Sequence, residues 1–301
     1  MCRLYGFRAT EPTKVECALV HAQNALMVQS RRDRDGLRHG HGWGVAMYQD
    51  HLPHVERQAW AAYHSEQFRR TAASVRAATV IAHVRHATVG RPLLENTHPF
   101  THGRWTFAHN GTLPRFSQIR NPMLEAMTAE HRAAIRGATD SEHIFHLLLS
   151  MHEAAPARPL LDIVREGARR IIAWCQEFPS QRGLGLNVML TDEDRFVGTR
   201  LGRTLYYVER EGLLDCEICG FPHIDHTPGN PYFAVVVASE PLSHEMWREM
   251  PEGSVYEITP DMRVHVEDLT AAYSGTSERT VPVSHPCPES GSAVTWGKSP
   301  P

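Results

Sequence analysis

The chain opens Met1-Cys2-Arg3, and Cys2 has more chemistry to offer than any other residue near it. Removal of Met1 makes Cys2 the first residue, with a thiol and a free α-amino group together. Methionine aminopeptidases cut before small residues, and Cys is small enough. An α-amine has a reference pKa of about 8, so near neutral pH part of it is unprotonated and can take the thiol proton. The thiolate attacks carbonyl carbon, and a base held beside it keeps it available. The plain alternative is an ordinary buried thiol. A Cys is a candidate nucleophile only when its partners exist elsewhere in the chain.

An acyl-transfer site also needs an oxyanion stabiliser and groups that orient the substrate. Asn110 carries a side-chain amide donor, and Gly111 can present a backbone N–H with no side chain in the way. Arg85 offers a planar fork suited to a carboxylate, with the Thr88 hydroxyl close by in sequence. Asp140 can accept hydrogen bonds from an ammonium group. Arg⁺ at one end and Asp⁻ at the other fit the zwitterionic head of an α-amino acid, with the oxyanion hole over its side-chain carbonyl. Each residue also has a structural use. Asn-Gly is a strong turn dipeptide, Arg85 suits a surface ion pair, and Asp140 suits a helix N-cap.

These residues sit at the ends of segments whose pattern predicts regular structure. Residues 2–7 read as a short strand, and Pro12 to Ser30 read as a helix with Val15, Leu19, Leu26 and Met27 on one face. Arg31 to His41 is charged and Gly-punctuated, which predicts an exposed loop. Residues 43–48 read as a strand introduced by His41-Gly42-Trp43-Gly44, and the glycines flanking Trp43 are a sign of close backbone approach. A helix over 65–76 leads to a strand over 79–85, and a strand over 105–109 runs into the Asn110-Gly111 turn. Helices follow over 122–134, 140–154 and 158–177, the second opening at Thr139-Asp140-Ser141-Glu142. Strands fill most of the stretch from 186 to 267. Strands, then helices, then strands predict two sheets with helices on their outer faces rather than a βαβ alternation.

Composition narrows the classes. The 301 residues are 42% hydrophobic and 22% charged, as in a globular protein, and the net charge of −3 gives no basis for a nucleic-acid partner. No stretch of eighteen apolar residues occurs, so no membrane span is expected, and Arg3, Arg8 and Glu11 exclude a signal peptide. Six irregularly spaced Cys do not form a disulfide framework, which fits a reducing cytoplasm. Twenty His predict a marked change of charge between pH 7 and pH 5.5. Residues 2–272 are expected to form one domain, and 273–301, rich in Ser and Pro, a mobile tail.

Cys2, His83-Val84-Arg85-His86-Ala87-Thr88-Val89-Gly90, Asn96-Thr97-His98-Pro99, His109-Asn110-Gly111-Thr112 and Thr139-Asp140-Ser141-Glu142 occur in that order. This series resembles the class-II glutamine amidotransferases, which are N-terminal-nucleophile (Ntn) hydrolases. Asn187 to Asp192, Thr199-Arg200, Leu205-Tyr206-Tyr207 and Ala238-Ser239-Glu240-Pro241-Leu242 resemble the stand-alone YafJ-like and EgtC-like members. The resemblance implies an α+β fold, a four-layer αββα sandwich of two mainly antiparallel sheets. It implies Cys2 as nucleophile with its own α-amine as base, Asn110 and Gly111 as oxyanion hole, and Arg85, Thr88, His98 and Asp140 as substrate contacts. It implies no cofactor, and a glutamine or γ-glutamyl substrate. No synthetase domain follows, so an ammonia acceptor is either a separate protein or absent. His86 and Val89 depart from the synthase-linked members, which usually have Trp and His there, so the loop over glutamine differs. The runner-up within the family is a γ-glutamyl amide hydrolase of the ergothioneine-pathway type, with a bulky amine leaving group.

A reading from another class is a zinc-binding or interaction protein without activity. Cys216, Cys219, His223 and His226 place four zinc-type ligands in eleven residues. Pro222 and the short spacing strain their closure on one ion, and the plain alternative is a polar loop with two free thiols. His83, His86, His98, His102 and His109 form a second His-rich group. Their strand-end positions fit substrate loops better than a catalytic metal, and none is expected there.

Overall fold

The computed structural model describes residues 2–178, 180–212, 215–224 and 229–269. The expected tail over 273–301 lies outside the described residues, as does His226. The strands are β1 (Arg3–Lys14), β2 (Trp43–Gln49), β3 (Leu52–Gln58), β4 (Arg76–Val84), β5 (Phe100–His102), β6 (Trp105–Thr112), β7 (Gly185–Thr191), β8 (Phe196–Arg200), β9 (Tyr206–Glu211), β10 (Phe233–Ala238), β11 (Arg248–Glu249), β12 (Ser254–Ile258) and β13 (Val264–Asp268). The helices are α1 (Leu26–Arg31), α2 (Glu66–Ser74), α3 (Phe116–Glu125), α4 (Ala129–Ala134), α5 (Asp140–Ala154) and α6 (Leu160–Glu177).

Two antiparallel sheets form. One has the order β11-β9-β10-β1-β4-β2-β3 and the other β13-β12-β8-β7-β6-β5. Alternation along β1 shows how they stack. Tyr5, Phe7 and Ala9 point outward into a core shared with Leu26, Met27, Phe68 and Ala72 of α1 and α2. Leu4 points inward with Ile81, Ala108, Met189, Phe196 and Val237, the layer between the sheets. Phe107, Val188, Leu190 and Val197 face outward from the second sheet against Ile144, Leu148, Val164 and Ile171 of α5 and α6. The result is the four-layer αββα sandwich, with helices outside and sheet against sheet in the middle. A Cβ on Gly6 would lie 2.7 Å from the Phe196 ring, so glycine lets the sheets approach closely at the centre.

Several local expectations change. β1 runs on to Lys14 because Thr13 and Lys14 pair with Ala77 and Arg76 of β4 after a register shift. The predicted helix over 12–30 is therefore a strand end, a π-turn over Cys17–His21 and the short α1. Asn110-Gly111 is not a turn: β6 continues to Thr112, pairing Asn110 with Asn187 and Gly111 with Leu186. The helix predicted over 122–134 is two, α3 and α4, and α3 accommodates Pro122. The 31–41 loop is exposed in part only, since Asp33 and His39 are buried.

Candidate active site

Cys2 immediately precedes β1, the middle strand of its sheet. The last pairs of β1 with β4 are Arg3 with Val84 and Leu4 with His83, so continuing the register sets Cys2 beside Arg85. The His86 N–H lies 3.3 Å from Cys2 Sγ, and the thiol lies 3.5 Å from the His86 carbonyl. Burial pushes the Cys2 thiol above its ordinary pKa, and the hydrogen bond from His86 works against that shift. A thiol so placed needs a base at hand to become a nucleophile at neutral pH.

One cleft is lined by Cys2, Arg85, Thr88, His98, Gly111 and Asp140, together with His86, His109 and Ser141. Residues far apart in sequence meet there because the ends of β1, β4 and β6 and the start of α5 lie together. The Arg85 guanidinium is buried and donates to the carbonyls of Val89 (2.8 Å), Gly90 (3.2 Å) and Arg91 (3.1 Å), which folds the 86–91 loop around it. These bonds use Nη1 and Nη2. The Thr88 hydroxyl is 2.7 Å from that of Thr112, a link between this loop and the end of β6.

Thr139, not Asp140, caps α5, accepting the Glu142 N–H at 3.2 Å. Asp140 is free of that duty. Its Oδ2 accepts the Leu113 N–H at 2.8 Å and its Oδ1 the Ser141 N–H at 2.9 Å, bonds that fix the carboxylate in the cleft wall. His109 lies beneath α5 between Ser141 Oγ (2.9 Å) and the Gly185 carbonyl (3.0 Å). A Cβ at position 111 would stand 1.9 Å from that same carbonyl, so only glycine lets β6 and β7 pair there. Asn110 is buried, with Nδ2 3.4 Å from Ser239 Oγ and Oδ1 without a partner. It is absent from the cleft lining given above.

His98 is buried and stacked on His83, ring centroids 4.2 Å apart, with no hydrogen bond at either ring's nitrogens. Burial holds both imidazoles well below their ordinary pKa, so both are neutral. Gly44 makes room for this loop: a Cβ there would be 2.2 Å from the His98 carbonyl, the close approach the Trp43 flanks predict. His102 belongs elsewhere, in a cluster with His131 and Glu153.

Sequence reasoning missed the clamp behind Cys2. The Arg3 side chain is buried and pairs with Asp33 (2.6 Å) and Glu240 (2.8 Å), and its Nη1 donates to the Cys2 carbonyl at 3.2 Å. His39 meets Asp33 at 3.0 Å. Ser239 Oγ accepts the Leu4 N–H at 2.9 Å. A buried Arg survives only with paired acids, and here they lock the strand end that carries Cys2. The signal was present in Arg3, which stands one step from Cys2 in a strand of buried residues with no partner nearby in sequence.

Residues 1–274 match the family described as glutamine amidotransferases class-II. The chain is 28% identical over 264 residues to the γ-glutamyl-hercynylcysteine sulfoxide hydrolase of Mycobacterium tuberculosis, covering 86% of this chain and 93% of that one. It is 28% identical over 265 residues to the putative glutamine amidotransferase YafJ of Escherichia coli, covering 84% and 95%. A glutamine aminotransferase class-II domain protein from Silicibacter pomeroyi superimposes with a TM-score of 0.58 at 21% identity, over 90% of this chain and 100% of that one, and shares its fold. The chain belongs to the class-II glutamine amidotransferases, a family of amide-cleaving enzymes with the Ntn fold.

Proposed function

We propose that the protein hydrolyses the γ-amide of glutamine or of a γ-glutamyl compound through a thioester on Cys2. The observation that carries this reading is the convergence of Cys2, Arg85, Thr88, His98, Gly111 and Asp140 on one cleft. Arg85 and Asp140 hold the α-carboxylate and α-amino groups of the substrate. Arg85 keeps its Nε–H for this after its three bonds to loop carbonyls, and Thr88 exchanges its bond to Thr112 for one to substrate. Cys2 Sγ attacks the γ-carbonyl as the α-amine, freed by loss of Met1, takes the thiol proton. The carbonyl oxygen becomes an oxyanion held by the Asn110 amide and the Gly111 N–H. Turning the Asn110 amide over lets Oδ1 accept from Ser239 and puts Nδ2 at the position now without a partner. The C–N bond breaks, the α-ammonium gives its proton to the leaving nitrogen, and a γ-glutamyl thioester remains. Water activated by the same amine then releases glutamate and restores the thiol.

A second reading concerns the leaving group. The mycobacterial relative is named for a γ-glutamyl compound with a large amine part, and at 28% identity over 86% of this chain that chemistry fits the same Cys2, Arg85, Asn110 and Asp140. If glutamine is the substrate, the ammonia is released or passed to an acceptor on a partner protein. No helix of the described residues is long and apolar enough to cross a membrane. Cys2, Cys17, Cys175, Cys216 and Cys219 are free thiols, which supports a reducing cytoplasmic setting.

The test is a substrate screen of glutamine against γ-glutamyl amides of increasing leaving-group size, reading glutamate release, with intact mass recorded on each preparation. Glutamate release is expected only from protein that begins at Cys2. Full activity in molecules that all retain Met1 would sink the α-amine mechanism.

A further inference from the structure

We propose that Cys17, Cys216, Cys219 and His223 form a structural zinc site, separate from the Cys2 cleft. The sequence offers Cys216, Cys219 and His223 within one loop, three ligands of the four that a closed site needs. The fold brings in Cys17, from the π-turn that follows β1, to the 215–224 loop between β9 and β10. The three sulfur atoms and one His nitrogen all lie within 4.8 Å of one another. Zinc bound by thiolate at about 2.3 Å sets tetrahedral ligand atoms about 3.8 Å apart, so four atoms in this arrangement need only small shifts to share one ion.

The backbone is shaped for it. The Gly220 N–H donates to the Cys216 carbonyl at 2.8 Å and the Cys216 N–H to the Phe221 carbonyl at 3.1 Å, which curls the Cys-x-x-Cys-Gly turn so that both sulfurs face one way. Gly220 has φ of +72°, a conformation side chains disfavour. The Lys14 N–H donates to the His223 carbonyl at 2.9 Å, tying the loop to the end of β1 beside Cys17. His223 Nε2 is 3.2 Å from Cys219 Sγ. Three thiolates and one neutral imidazole fill all four positions of a tetrahedral zinc, the pattern of a closed structural site without room for a reacting water.

A cavity of about 290 Å³ adjoins the cluster, with Cys17, Cys216, His223, Tyr5, Arg210 and Tyr232 among its lining residues. None of the residues that line it lines the Cys2 cleft. The ion would fasten the middle of this loop, where Ile218 and Phe221 are exposed, while Ile224 at its end is buried in the core.

The experiment measures metal content of the full chain purified under reducing conditions without added metal, and zinc K-edge absorption on the same sample. About one zinc per chain, in a shell of three sulfurs and one nitrogen, is expected. Cys17→Ser and Cys219→Ser should each lose most of the bound zinc, while Cys175→Ser keeps it. Should those variants not fold, the reduced, metal-stripped wild type is titrated with Co²⁺ and the visible spectrum of tetrahedral thiolate-bound cobalt is read. Three outcomes overturn the proposal: no zinc and no Co²⁺ uptake, a disulfide among these thiols that persists in reductant, or full zinc in Cys17→Ser. A chelator that removes the ion should lower the melting temperature and leave the site at Cys2 reactive.

Discussion

Two thiol centres stand at different places in this fold, and their surroundings differ more than their sulfurs do. Cys2 sits at the end of a central strand, buried, with a guanidinium, a backbone N–H and a fixed carboxylate around it. Cys219 sits on an exposed loop between two strands, with two other thiols and an imidazole for neighbours. Burial raises the Cys2 pKa. At Cys219 burial is the largest single influence and raises the pKa, but hydrogen bonds at the sulfur with the Phe221 backbone, Cys17 and Cys216 together bring it below the ordinary value. Thiol acidity alone would thus choose Cys219 as the nucleophile. What favours Cys2 in the proposed reading is the rest of its shell, with Arg85, Asp140 and Gly111 around one sulfur, against two thiols and an imidazole around Cys219. The function of a thiol here follows from what its neighbours can bind.

The largest effect that can break this contrast is loss of the nucleophile. Cys2→Ala should lower kcat/KM on the order of 10⁴-fold or more and abolish the thioester, while substrate still binds through Arg85 and Asp140. A glutamine analogue with an electrophilic side chain should label Cys2 and spare Cys17, Cys175, Cys216, Cys219 and Cys287, as read by peptide mapping. Labelling of Cys219 together with an active Cys2→Ala protein would move the active site to the other centre.

Next in size is the oxyanion donor. Asn110→Ala keeps the thiol and removes one donor, so kcat should fall on the order of 10²–10³-fold with little change in KM. An unchanged kcat would leave Asn110 as no more than the partner of Ser239. Smaller again are the head-group contacts. Arg85→Ala and Asp140→Ala should each cost at least about 2 kcal/mol in kcat/KM by leaving one substrate charge unpaired. Because Arg85 also folds the 89–91 carbonyls around itself, Arg85→Lys is the sharper variant, keeping the charge and losing the fork. Wild-type kcat/KM in all three would remove the proposed orientation of the substrate.

The sequence made the centre of the Cys2 cleft legible because its residues fall at strand ends in short ordered motifs. Side-chain chemistry and the family resemblance together named Arg85, Thr88, His98, Asn110, Gly111 and Asp140, and all of these but Asn110 line the cleft with Cys2. Its supports were not legible. Asp33 lies in a stretch that reads as exposed loop, yet it is buried against Arg3, and Glu240 comes from over two hundred positions away. Such long-range ion pairs leave no periodic trace. Cys17 is the same case at the other centre: nothing near it in sequence marks it as the companion of Cys216. The Asn110-Gly111 dipeptide misled for a physical reason, since its turn preference yields to cross-strand pairing with Asn187 and Leu186.

The mildest test uses acid. His146 lies on α5, the helix whose first residue is Asp140, with its Nδ1 3.0 Å from that of His131. Burial first, and then the charges of His131, His102 and His143, hold its pKa down at about 4. In the unfolded chain the same imidazole protonates near pH 6.5. Between those values the unfolded state binds a proton that the native state does not, so stability is present above about pH 6.5 and is lost as the pH falls toward 4. Burial depresses His39 to about 3 and His83 and His98 in the same direction, so acid weakens the site side of the molecule through several groups at once. These buried imidazoles also make the charge change below pH 7 smaller than twenty histidines alone would give. His146→Gln removes one of them. It should reduce the loss of unfolding free energy between pH 7 and pH 5 by about 1–2 kcal/mol, measured by urea denaturation at each pH. Chelator treatment separates the two centres, because it would strip an ion from the cysteine cluster and leave the buried His146 in place. The His146→Gln difference should persist there unchanged; its disappearance after chelation would assign the acid sensitivity to the cysteine cluster instead.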